Sequence, residues 1–165
     1  MMLNRFRAAV APLLAGLLLF ATADPVRAQD RHDNYYYPEV TSSEVYQARA
    51  QVLPNADRTM RVGFIVAQTT GQVQGRPYPP RFAMFAKGEQ AEKMIIIGLD
   101  DTSFATLFRA RAVLAQMTSI SRGTELFRSF AVEDYFTFFD LARMLGFTQI
   151  TVSDGETYAH RVDLE

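Results

Sequence analysis

Apolar and polar positions fall into blocks along the chain, and each block predicts an element. From 42 to 53, Val45, Ala48, Val52 and Leu53 lie on one stripe at helical spacing. Thr41 to Glu44 precedes them as a capping box, in which the Thr side chain accepts from a backbone N–H three residues on and the Glu reaches back. Pro54 and Asn55 end that helix. The run from Arg61 to Gln68 (RVGFIVAQ) is nearly all apolar and predicts a strand interior to a sheet. A long Gly- and Pro-rich loop, Thr69 to Pro80, follows it. Two more apolar runs, Arg81 to Lys87 and Lys93 to Leu99, are joined by the polar stretch GEQAE and predict a hairpin.

Past Asp100, Asp101 and Thr102 a helical stripe returns with Phe104, Leu107, Phe108, Leu114 and Met117, and Ser121 to Gly123 break it. A further helix from 132 to 145 carries Glu133 and Asp134 in its first turn, where the helix dipole favours acids, and Gly146 at its C-terminal stop. Thr148 to Ser153, the dipeptide Asp154-Gly155, and Glu156 to Leu164 predict a second hairpin through a type I′ turn. The order α-β-β-β-α-α-β-β, with hairpins and no regular βα alternation, predicts an α+β domain. Its expected form is a largely antiparallel sheet of about five strands with helices on one face.

Ahead of this domain stands a different pattern. Arg5 and Arg7 precede an apolar run from Ala8 to Ala23, and small residues follow at cleavage spacing, which is the three-part pattern of a secretory signal. Both Ala21-Thr22-Ala23 and Val26-Arg27-Ala28 fit a cleavage site, and the polar chain QDRHDN directly after Ala28 favours the second. Residues 1–28 are thus expected as a signal peptide and 29–165 as one domain in the periplasm or outside the cell. An uncleaved leader would instead tether the protein to a membrane, but Pro12 interrupts the run and it is short of the roughly 20 residues that span a bilayer.

Cleavage would move the balance from 17 basic and 18 acidic residues to 14 and 17. A mildly acidic chain argues against nucleic acid as a partner, since that calls for basic patches, and leaves an unknown protein or small molecule open. The chain has no cysteine, so neither disulfides nor thiolate metal sites are available to it. Stability must come from burial.

Candidate chemistry is sparse. His32 stands between Asp30 and Asp33, but the only other histidine is His160 at the far end, so a solvated segment accounts for it and no metal site is expected. Ser153, Asp154 and His160 have the residue types of a catalytic triad. A two-residue Asp154-Gly155 turn, however, would pair His160 with Gln149, roughly 13 Å along the strand from Ser153. Asp100 and Asp101 at a strand-to-helix junction are an alternative acid/base pair, with helix capping as the simpler account. Arg109, Arg111, Arg122 and Arg128 make the middle of the chain locally basic, which solvent-boundary positions on a helix explain.

Tyr135, Phe138, Phe139, Ala142 and Leu145 form a core stripe, which Phe136, Leu141 and Met144 widen. That helix is either covered on two sides or offers a patch to a partner. The loop from Thr69 to Pro80 is the least bland feature, because Arg76, Tyr78 and Arg81 can present cations and an aromatic face to a ligand. Tyr35, Tyr36 and Tyr37 are a second contact surface.

The stretches YYYPEVTSSEVY, YPPRFAMFAKG, FRARAVLAQMTS and FFDLARMLGFTQITVSDG resemble a family of small exported alphaproteobacterial proteins, over nearly all of the chain after the leader. Some members carry the name molybdopterin-guanine dinucleotide biosynthesis protein A, which implies a cofactor-metabolism enzyme. The Gly-rich nucleotide loop LAGGxSxRMGxxK that such an enzyme uses has no counterpart here, as Gly71, Gly75 and Gly88 lie in no such motif, so no active-site residue carries over. The expectation is a periplasmic accessory or binding protein. The alternatives are that cofactor enzyme or a hydrolase using Asp100 or Asp101.

Overall fold

Strand pairing and helix caps in the computed structural model, which describes residues 38–74, 77–100 and 104–165, give the order β-α-β-β-α-α-α-β-β. The elements are β1 (Ser42–Tyr46), α1 (Arg58–Val73), β2 (Phe82–Lys87), β3 (Lys93–Gly98), α2 (Leu107–Arg122), α3 (Glu125–Ser129), α4 (Phe138–Met144), β4 (Gln149–Ser153) and β5 (Ala159–Leu164). They build one α+β domain around a five-stranded sheet ordered β1-β5-β4-β3-β2. The sheet is mixed rather than largely antiparallel. The β2–β3 and β4–β5 hairpins are antiparallel as expected, but β3 runs parallel to β4 and β1 parallel to β5. A parallel pair needs a long crossover, and here α2 to α4 supply it between β3 and β4.

The first two elements exchange their expected identities. Residues 42–46 are a strand, because Thr41 does not cap a helix: its N–H and its hydroxyl both donate to Ala159 O, each at 2.9 Å. Side chains then alternate, with Ser42, Glu44 and Tyr46 half-buried and Ser43 and Val45 exposed. The apolar run from Arg61 to Gln68 is helix, since Asp57 caps it by accepting from Met60 N at 2.7 Å. Arg61, Phe64 and Ile65 turn inward and Val66 stays exposed, a helical pattern inside a run whose composition is equally that of a strand. The helix continues to Val73 and takes up the first part of the expected loop.

Three further expectations change. The helix placed from 132 begins at Phe138, because Thr137 and Asp140 form the capping box and Glu133 and Asp134 lie in the turn before it. A separate short helix, α3, precedes that turn. Thr106, and neither aspartate upstream, caps α2 by accepting from Arg109 N, and its buried stripe is Ala110, Leu114, Met117 and Ser121, leaving Phe108 at 83% exposure. In the last hairpin Ser153 pairs with Ala159, so the connection is the five residues 154–158 rather than an Asp-Gly pair. Asp154 shapes it by accepting from the N–H groups of Glu156, Thr157 and Tyr158 and from the Thr157 hydroxyl.

One sheet face forms the core. Met84, Met94, Ile96, Ile150, Val152, Val162 and Leu164 project from it to meet Ile65, Ala110, Leu114, Phe127, Phe138 and Leu141 of the four helices. Phe104, Phe127 and Phe147 are fully buried, each worth about 1.5–3 kcal/mol by transfer alone. Phe104 packs so close to β3 that a Cβ on Gly98 would lie 2.4 Å from its ring. The aromatic run of α4 is core on two sides, with Phe138, Leu141, Ala142, Met144 and Leu145 all buried, while Tyr135, outside the helix, is exposed.

Two buried charges lock α4 in place. Asp140, with no exposed surface, accepts from Arg49 N (2.8 Å) on one oxygen, and from Thr137 N (2.8 Å), Thr137 Oγ1 (3.0 Å) and Tyr46 Oη (3.0 Å) on the other. Burial and the Asp140 charge push the Tyr46 phenol up despite the Thr137 bond, so it remains a donor. At the other end of α4 the buried Arg61 guanidinium donates to Leu145 O at 3.3 Å and Gly146 O at 3.5 Å, and its Nε to Gln90 O at 2.8 Å. A cation there meets the negative end of the helix dipole. Gly146 has φ +83, a conformation that favours glycine, and a Cβ on it would lie 2.5 Å from Arg61 Nη1 and displace the guanidinium.

Asp140→Ala strands four donors around a cavity and is expected to destabilise the domain by about 3 kcal/mol or more, against about 1 kcal/mol for Thr137→Ala. Urea denaturation of the two variants checks the ranking.

Candidate functional site

A cavity of about 440 Å³ opens between α1, the segment leading into β2, α2 and α4. Its floor is Met84, Phe82 and Leu141, its walls Phe64 from α1 and Val113, Met117 and Ile120 from α2. Polar groups stand among them: Gln68 and Gln72, one turn apart on α1, and Gln116 of α2. Pro77, Tyr78, Pro79, Pro80 and Arg81 also line it. The prolines fix φ along this segment.

The structure thus divides the expected contact residues. Tyr78 (80% exposed) and Arg81 line the cavity, and Arg81 Nε lies 3.3 Å from Asp100 Oδ2. That ion pair ties the start of β2 to the end of β3 and places Asp100 beside a cation. Arg76, Tyr35, Tyr36, Tyr37 and Asp101 lie outside the described residues, as does His32. Among the described residues no three His, Cys, Asp or Glu side chains come together as metal ligands, and no helix is long and apolar enough to cross a membrane. Of the arginines, Arg111 pairs with Glu44, Arg122 donates to Phe136 O and Arg128 to Gly123 O.

Ser153 and His160 stay apart for a reason other than distance along the strand. His160 pairs with Val152, and Ser153, the next residue, points to the opposite face. There its hydroxyl donates to Tyr158 O at 2.6 Å and accepts from Gly155 N at 2.9 Å.

The partner of His160 is instead Ser42. Parallel pairing of β1 with β5 sets the two side by side, with Ser42 Oγ 2.8 Å from His160 Nδ1. Two residues along β1, Glu44 Oε1 lies 3.3 Å from His160 Nε2, close enough for ion pairing but off the line of a good hydrogen bond. Glu44 Oε2 is held by Arg111 Nη2 at 2.6 Å. Burial pushes the Glu44 carboxyl up, but the His160 and Arg111 contacts prevail and hold it below its ordinary 4.5. The Tyr158 hydroxyl is buried in the same cluster without a hydrogen bond of good geometry, and burial pushes its phenol up against the influence of Ser42 and Arg111. Nothing local in the sequence joins Ser42 to His160, which are 118 residues apart. Only the Ser-x-Glu spacing on one strand face is visible there.

No protein-family model, curated protein or solved structure matches this chain.

Two carboxylates give pH predictions of the same sign. Although burial opposes it, bonds from the Thr157 hydroxyl and the Tyr158, Glu156 and Thr157 N–H groups hold Asp154 at about 2 against an ordinary 3.8. Both folded values lie below the unfolded ones, so each contribution is complete above the ordinary value and is lost as the pH falls through the folded one. Asp154→Asn is expected to lower stability by on the order of 1 kcal/mol near pH 7, with the difference from wild type closing between about pH 4 and 2. Glu44→Gln should likewise narrow its gap to wild type on acidification from about 4.5. Urea midpoints measured across that range check both.

Proposed function

We propose that this chain is an exported accessory protein that binds an apolar or planar small molecule in the cavity between α1 and α2. The cavity carries the reading. Its size lies within the roughly 300–1,000 Å³ of small-molecule sites, and its lining is mainly apolar with a few polar groups to orient a ligand. Tyr78 and Arg81 suit a ligand with a flat face or an anionic end, and the glutamines one with amide or hydroxyl groups. The leader pattern and the resemblance to small exported proteins support a periplasmic setting.

Gly71 offers a test that spares the fold. It lines the cavity from within α1, and a Cβ placed on it meets nothing within 4 Å. Gly71→Trp fills that space and replaces a helix-weakening glycine with a better helix former, a gain of about 0.5 kcal/mol. The expected outcome is saturable 1:1 binding of 1-anilinonaphthalene-8-sulfonate by the wild type. In Gly71→Trp the affinity falls at least tenfold while the melting temperature is unchanged or higher. Equal binding by both proteins, or no saturable binding by either, contradicts the reading.

A further inference from the structure

We propose that Ser42, His160 and Glu44 form an acyl-transfer site at the β1 edge of the sheet, the edge opposite the cavity, with small carboxylic esters as the substrate class. Strand pairing alone assembles it. Ser42 and His160 are register partners on one face, and Glu44 follows on the same face two residues later. A nucleophile within hydrogen-bond reach of a base, and the base in turn facing an orienting group, is the arrangement that activates a serine hydroxyl.

The direction of each proton follows from the partners. Glu44 is held ionised by Arg111 and can only accept, so His160 carries its hydrogen on Nε2 facing Glu44. Nδ1 is then bare and accepts from the Ser42 hydroxyl at 2.8 Å, which is the polarity a general base requires. The His160 ring is 3% exposed, and Ser42 beside it is half-buried.

In the reaction Ser42 Oγ attacks the ester carbonyl carbon and its proton passes to His160 Nδ1. The carbonyl oxygen takes the negative charge. Collapse breaks the bond to the alcohol oxygen, which leaves with the proton from His160, and water then repeats the sequence on the acyl-Ser42 ester to release the acid. Ester and water give acid and alcohol, with no other reactant. Ser42 and His160 are the catalytic residues; Glu44 and Arg111 position the ring.

The test uses the purified chain with p-nitrophenyl acetate and a fluorophosphonate probe. Expected are stoichiometric probe adducts on the Ser42 peptide by mass spectrometry, and at least 100-fold slower turnover in Ser42→Ala with a melting temperature close to wild type. Glu44→Gln should lose about tenfold in kcat with little change in KM. Because the chain has no cysteine, Ser42→Cys carries a single thiol. Iodoacetamide should alkylate it at least tenfold faster than in Ser42→Cys with His160→Gln. Gly71→Trp should keep Ser42 labelling, which separates this site from the cavity. No adduct on Ser42 in the folded wild type, turnover unaffected by Ser42→Ala, or a thiol in Ser42→Cys that reacts at the same rate with and without His160 would each overturn the proposal.

Discussion

A single buried carboxylate, Asp140, joins the first strand to the helical layer. It gathers the Tyr46 hydroxyl from the end of β1, the Arg49 N–H from the chain just beyond, and both donors of Thr137 at the start of α4. An ionised group without exposed surface persists only when its lone pairs are engaged, and four bonds do so here. The geometry of one side chain therefore decides where β1 ends and where α4 begins. Arg61 performs the reciprocal task at the other end of the helix, using carbonyls rather than a carboxylate. With both ends fixed, Phe138, Leu141 and Met144 can close the core from the side away from the sheet.

The two sheet edges inherit different chemistry from this arrangement. At the β2 edge, the proline-rich approach to Phe82 lines an apolar cavity together with α1 and α2. At the β1 edge, parallel pairing with β5 brings a hydroxyl, an imidazole and a carboxylate onto one face, and Arg111 from α2 neutralises the last of them. The same helix thus contributes Met117 to the apolar cavity and Arg111 to the polar cluster, from positions nearly two turns apart.

The legible parts of the fold were those set by neighbours in the chain. Both hairpins, the buried stripe of α2 beyond Ala110, and the Gly146 stop follow from short-range pattern and turn chemistry. Where pattern was ambiguous, non-local bonds decided. Val45, Ala48 and Val52 have helical spacing, yet Thr41 bonds to Ala159 across 118 residues and makes the segment a strand. RVGFIVAQ reads equally as buried strand or helix, and Asp57 decided it. The mixed sheet was hidden for the same reason, since neither parallel pair is joined by a turn. Of the candidate sites, the Tyr78 and Arg81 side of the cavity was visible as a proline-rich segment, whereas its helical walls depended on α1 being a helix. The Ser42–His160 pair was not visible at all.

Export and carriage of a small molecule are decided together by the mass of the protein isolated from the periplasmic fraction of a bacterial host. Under denaturing conditions the expected mass is that of a chain beginning at Gln29, and under native conditions that mass plus a small molecule that denaturation releases. An intact leader on protein confined to the cytoplasm, with identical native and denatured masses, would contradict both.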